Sequence, residues 1–116
     1  MKIKKPSKTK AGSEAFIGQL FATIVSRKKA KAEKSYVASL FAKGSSHIAR
    51  KLGEEAVETI IAAESGKKKH LVSESADLLF HLLVLWAAKG ITPDMVMEEL
   101  KQREGTSGIE EKKSRK

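Results

Sequence analysis

No cysteine occurs anywhere in the chain, which excludes disulfides, zinc–thiolate centres and cysteine nucleophiles and agrees with a reducing compartment. Proline appears twice and aromatic residues make up 5% of the sequence, so the turn-rich, β-branched and aromatic texture of a sandwich or barrel is missing. The longest run without an ionisable group is shorter than the roughly 20 residues that a membrane-spanning helix needs. The basic first residues lead into no signal-type apolar core, so nothing directs the chain to secretion.

What is present is Ala, Leu, Ile, Lys and Glu at helical spacing in 116 residues, about the size of one domain with one modest core. The expectation is an all-α bundle of about four to five helices, completed by homodimerisation. Three parts are expected: a disordered basic arm over residues 1–12, the helical domain over 13–105, and a polar tail over 106–116.

The formal net charge of +9 raises a polyanion as partner. Its distribution qualifies that. Ten of the 23 basic residues lie between Lys2 and Lys34 and six more between Lys101 and Lys116, while the acids concentrate in the middle. A basic frame around an acidic centre suits a phosphate-rich ligand that brings its own metal at least as well as a duplex. No basic helix face interleaved with aromatics is visible, which ranks nucleic-acid binding last.

The central stretch is KLGEEAVETIIAAESGKKKHLVSESAD, residues 51–77. It holds Glu54, Glu55 and Glu58 before a glycine break, then Glu74 and Asp77. At about 100° per residue the first three lie in one sector of a helix, with Ala56, Val57, Ile60, Ile61 and Ala63 opposite. On that pattern alone these acids could be a solvated face. Asp77, however, runs directly into LLFHLLVLWAA, residues 78–88, whose one ionisable group is His81. A helix apolar on every side is a buried one. Carboxylates at its mouth repel one another and lose hydration, so some protonate or a cation sits among them. Mg²⁺, held by a few carboxylates together with water and substrate phosphates, meets that need. A lysine or arginine would also serve.

Along the chain, Ser13 is a plausible N-cap for a helix reaching about Lys29. RKKAKAEK, residues 27–34, is a connector without an apolar anchor that meets water or phosphates. Ser35 caps a short helix ending at Gly44. Helices over about 46–65 and 69–89 end at Gly66 and Gly90, with Gly53 inside the first allowing close approach or simply tolerated. Thr92, Pro93 and Asp94 mark one more helix start. His81 reads as a satisfied core residue or a proton shuttle, and Trp86 as core or dimer contact.

Glu55-x-x-Glu58 followed by Glu74-x-x-Asp77 resembles the metal signature of the all-α nucleotide pyrophosphohydrolases. SYVASLFAKG, ARKLGEEAVE, ESADLLFHLLVLW and GITPDMVMEELKQREGTSG, in that order, extend the resemblance to the phosphoribosyl-ATP pyrophosphohydrolases over most of the chain. The basic N-terminus and KKK at 67–69 depart from the commoner pattern. The resemblance implies a cytoplasmic homodimer that hydrolyses phosphoribosyl-ATP to phosphoribosyl-AMP and pyrophosphate with Mg²⁺, the second step of histidine biosynthesis, without nucleic acid or membrane as partner. It implies Glu55, Glu58, Glu74 and Asp77 as Mg²⁺ ligands. One of Glu54, Glu55 or Glu58 would accept the proton from water. Lys43, Arg50, Lys51 and Arg103 flank the acidic helices and are candidates for phosphate contacts. The same site could instead act on a canonical or damaged nucleoside triphosphate.

Overall fold

The computed structural model describes residues 10–105 and 108–115. Among them are six α-helices and no strand: α1 (Lys10–Ser26), α2 (Tyr36–Lys43), α3 (Ser45–Ser65), α4 (Lys68–Lys89), α5 (Pro93–Gln102) and α6 (Gly108–Ser114). The fold is all-α, as the composition implies.

Helix ends follow local chemistry. Ser35 accepts the Ala38 N–H through its side chain, and Thr92 accepts the Met95 N–H ahead of Pro93, which supplies a helix-ready φ and no orphan donor. Gly66 and Gly90 end α3 and α4 in the left-handed region at φ 75° and 72°, where a Cβ would be strained.

Three expectations change. Ser13 is not a cap, since α1 already begins at Lys10, and the part of the basic arm before Lys10 lies outside the described residues. The stretch after residue 105 includes α6, whose Lys112 and Lys113 sit in its last turn where they favour the helix dipole. The connector after α1 forms two short 3-10 turns, Arg27–Lys29 and Ala32–Lys34, and it does have an anchor. Lys28 Nζ donates to the Ala87 carbonyl at 2.7 Å and lies 5.4 Å from the Phe41 ring centroid. Its stem covers apolar surface while its charge meets the C-terminal end of α4.

The core gathers Ile24 of α1, Leu40 of α2, Ile48 of α3 and Leu83, Val84 and Ala87 of α4, with Phe21, Phe41, Phe80 and Trp86 packed on it. Each fully buried aliphatic side chain contributes roughly 1.5–3 kcal/mol. The main partnership in the fold is α3 against α4, joined by the short turn through Gly66. By length and composition α4 is apolar enough to cross a membrane, which the 78–88 run alone did not suggest. The core helix of a bundle passes the same test, and α4 carries Glu74 and His81 along its packed side.

Amphipathicity of α3 is turned outward in its second half. Val57, Ile60 and Ile61 are 55%, 62% and 59% exposed, whereas Ala62 is buried and Glu55 and Thr59 are partly covered. The side of α3 that meets α4 there is the acidic one. Val72 and Leu79 of α4 are likewise exposed. An extended radius of gyration of 16.0 Å accompanies this uncovered apolar surface, against about 13 Å for an ordinary domain of this length.

Candidate metal centre

The antiparallel packing of α3 on α4 brings the Glu55–Glu58 pair opposite Glu74. Glu55, Glu58 and Glu74 each present a carboxylate oxygen within 4.8 Å of the others; Glu55 is the most buried and Glu58 the most exposed. Glu55 Oε2 and Glu74 Oε2 are both buried without a hydrogen-bond partner. A buried ionised oxygen left unpaired costs several kcal/mol, so these two atoms call for an outside partner, water or a cation.

Electrostatics agree. Burial, then the hydrogen bond and charge of Glu58, then the charge of Asp77 push the Glu55 carboxyl above its ordinary 4.5, while His81 pulls the other way. Like charges held together in a partly dry place favour the protonated acid until a cation arrives. The donor set is all oxygen, two of its atoms are buried and orphaned, and one edge is open through Glu58. That suits a hard divalent cation such as Mg²⁺, which keeps water and substrate oxygens in its remaining positions.

Glu54 lies outside this group. It ion-pairs with Lys51 at 3.5 Å on a more exposed sector of α3. Asp77 is not within the 4.8 Å group either: its side chain is exposed, and its influence on Glu55 is through charge. His70, one turn before Glu74, approaches it at 3.7 Å.

Lys51 feels the cluster electrostatically. Tyr36, charged as a phenolate in the alkaline range where lysine titrates, and then Glu54 and Glu55 hold its ammonium above the ordinary lysine value, against the opposing effect of burial. Arg50 is exposed on the neighbouring position of α3, and Lys43 is exposed in the last turn of α2. Arg103 is placed elsewhere. Its guanidinium lies 3.6 Å from Glu99 on the wall of a groove of about 930 Å³ lined by Ile17, Leu83, Trp86, Met97 and Leu100, and none of the clustered glutamates lines that groove.

No neighbouring helix of the chain approaches Gly53 closely, because an added Cβ would meet nothing within 4 Å. His81 is buried and satisfied. Its Nδ1–H donates to the Asp77 carbonyl at 2.7 Å, leaving Nε2 to accept from the Tyr36 hydroxyl at 2.9 Å. Two polar residues not named as site candidates stand near the acids. Tyr36 bonds His81, and Thr59 has its hydroxyl 2.8 Å from the Glu55 carbonyl and 3.2 Å from the Glu74 carbonyl. The available signal for Thr59 was its place one turn after Glu55, on the acidic rather than the apolar side of α3.

The sequence profile of phosphoribosyl-ATP pyrophosphohydrolase matches residues 17–104. The chain is similar to the phosphoribosyl-ATP pyrophosphatase of Azospirillum brasilense, at 57% identity over 90% of this chain and 94% of the relative. It is similar also to those of Paramagnetospirillum magneticum, at 55% over 90% and 96%, and of Zymomonas mobilis, at 52% over 89% and 96%.

Proposed function

The chain belongs to the phosphoribosyl-ATP pyrophosphohydrolase family, and from that premise we propose that it hydrolyses phosphoribosyl-ATP to phosphoribosyl-AMP and pyrophosphate, with Mg²⁺, in the cytoplasm, as the second step of histidine biosynthesis. The observation that carries the reading is the convergence of Glu55, Glu58 and Glu74 with two buried, unpartnered oxygens. Glu55, Glu58 and Glu74 would hold the ion, with Asp77 as a fourth carboxylate one helical turn beyond Glu74. When bound, Mg²⁺ lowers the charge on the triphosphate oxygens and orders them for displacement.

The protein's own part is positioning and proton handling. Glu58, the most exposed of the three, and Glu54 beside it are the carboxylates that water can reach, and one of them takes the proton of the attacking water. Glu55, buried and crowded, supplies fixed negative charge. Lys51, with Arg50 and Lys43 as further exposed cations, attracts the polyphosphate and steadies the pyrophosphate that leaves. Arg103 borders the apolar groove and is given no part in this reading.

The same reading includes a homodimer, supported by the exposed Val57, Ile60 and Ile61 on the outward side of α3. A second copy covering that side would bury them on a helix that bears two of the carboxylates.

The test is pyrophosphate release from phosphoribosyl-ATP with and without Mg²⁺, in the wild type and in Glu58→Gln. Release that needs Mg²⁺ and falls by at least about 100-fold in the variant is expected, since even outer-shell changes at metal sites cost 10–100-fold. Undiminished release by Glu58→Gln removes that residue from the site. Faster turnover of dUTP or ATP than of phosphoribosyl-ATP reassigns the substrate.

A further inference from the structure

Two backbone carbonyls of α4 receive more than the helix gives them. In any α-helix the carbonyl of residue i accepts the N–H of residue i+4, which engages one lone pair. At Glu74 the second lone pair faces the Thr59 hydroxyl of α3 at 3.2 Å, and at Asp77 it faces His81 Nδ1 at 2.7 Å. These are the α4 positions whose carboxylates face, or neighbour, the cluster. The single Thr59 proton is shared, because the Glu55 carbonyl lies 2.8 Å from the same oxygen. One hydroxyl therefore joins the main chain of a carboxylate-bearing residue on α3 to that of one on α4.

The surroundings make these bonds more than decoration. In this half of the α3–α4 pair the large apolar side chains of α3, namely Val57, Ile60 and Ile61, are exposed, so they do not set how far one helix slides along the other. What lies between the helices there is buried Ala62, which has no directional group, and the Thr59–Glu74 bond, which has one. His81 is held in its turn from a third element, since the Tyr36 hydroxyl of α2 meets Nε2 at 2.9 Å and the Tyr36 and Phe80 rings stack with centroids 6.3 Å apart. Rotation of the imidazole would break both bonds at once.

We propose that Thr59 and His81 are positioning residues for the cation site: Thr59 fixes the α3–α4 register at Glu74, and His81, clamped by Tyr36, fixes the backbone of Asp77. The proposal rests on the carboxylates being cation ligands. Neither residue touches the ion or the substrate; each acts through the main chain of an acidic residue, as the outer partners of metal ligands do.

Mn²⁺ binding to the full chain, followed by electron paramagnetic resonance of the free ion, separates this from a merely structural role. Thr59→Val keeps the shape and removes the hydroxyl. It is expected to lower Mn²⁺ affinity by about tenfold while kcat recovers at saturating metal, and Thr59→Ser is expected to bind as the wild type does. Tyr36→Phe, a change on a half-exposed ring that leaves the core intact, is expected to lower affinity by a smaller factor, about threefold. Wild-type Mn²⁺ affinity in both Thr59→Val and Tyr36→Phe overturns the proposal. So does a loss in Thr59→Ser equal to that in Thr59→Val, which would assign the effect to the γ-methyl. Should Thr59→Val fail to fold, as seen by circular dichroism, Thr59→Ser and Tyr36→Phe decide the matter. Glu58→Gln serves as the control. If it binds Mn²⁺ like the wild type, or the wild type binds none, the metal reading itself falls; if it loses binding while Thr59→Val and Tyr36→Phe do not, only the positioning falls.

Discussion

Ile48 of α3 shares a buried cluster with Leu83, Val84 and Ala87 of α4, and there the two helices are held by dispersion and excluded water. Two turns further along α3 the same pair meets through Glu55, Thr59 and Glu74, where like charges oppose contact and the Thr59 hydroxyl and buried Ala62 lie between the helices. One end of the pair stabilises the fold. The other is costly to the isolated protein and, under the proposed function, is put to use when a cation and a phosphate arrive, the usual relation between a core and a site that spends stability on function.

Breaking the polar end should give the largest effect. Under the proposed function, Glu55→Gln is expected to cut pyrophosphate release by more than about 100-fold, because it would remove a direct ligand where outer-shell changes already cost 10–100-fold. The same change should raise the melting temperature of the metal-free protein. Glu55 titrates above 4.5 in the folded chain, so above that pH the folded state binds more protons than the unfolded one. Its contribution is fully present below 4.5 and is lost as pH rises through the raised value. Melting curves in a chelator should therefore decline with pH across that window in the wild type and decline less in Glu55→Gln.

The apolar end should respond in the opposite sense. Leu83→Ala is expected to cost about 2–5 kcal/mol of stability, measured by denaturant unfolding, while turnover per folded molecule is retained. A parallel collapse of turnover would show that the two ends are not separable. Ile60→Asp bears on neither end but on the outward side of α3. It should split the proposed homodimer, as read by light scattering, without unfolding the chain, since Ile60 is 62% exposed. The smallest effect is expected for Lys28→Met, which keeps the apolar stem and removes the charge from the Ala87 carbonyl, at about 1 kcal/mol in thermal unfolding.

Much of this was legible in the residues. Ser35, Thr92, Gly66 and Gly90 announce their helix ends because capping and positive φ are local demands that specific side chains meet. The acids at three-residue spacing announce that two helices offer carboxylates. Periodicity shows that α3 has two faces, but not which of them its neighbour in the same chain covers, and here it is the acidic one. Lys28 read as a solvated charge because its partner, the Ala87 carbonyl, is 59 residues away. The linking role of Thr59 and the tie between Tyr36 and His81 depend on how α2, α3 and α4 come together in space, which spacing within one helix does not encode.

Because α4 is continuous from Lys68 to Lys89, its core residues and its acids ride on one screw axis. Glu74 and Leu83 are separated by a rise of about 13 Å, and a single residue inserted between Asp77 and Leu83 would swing one set about 100° relative to the other. Cohesion and chemistry thus share a ruler, and the interval between them tolerates exchanged letters far better than added or missing ones.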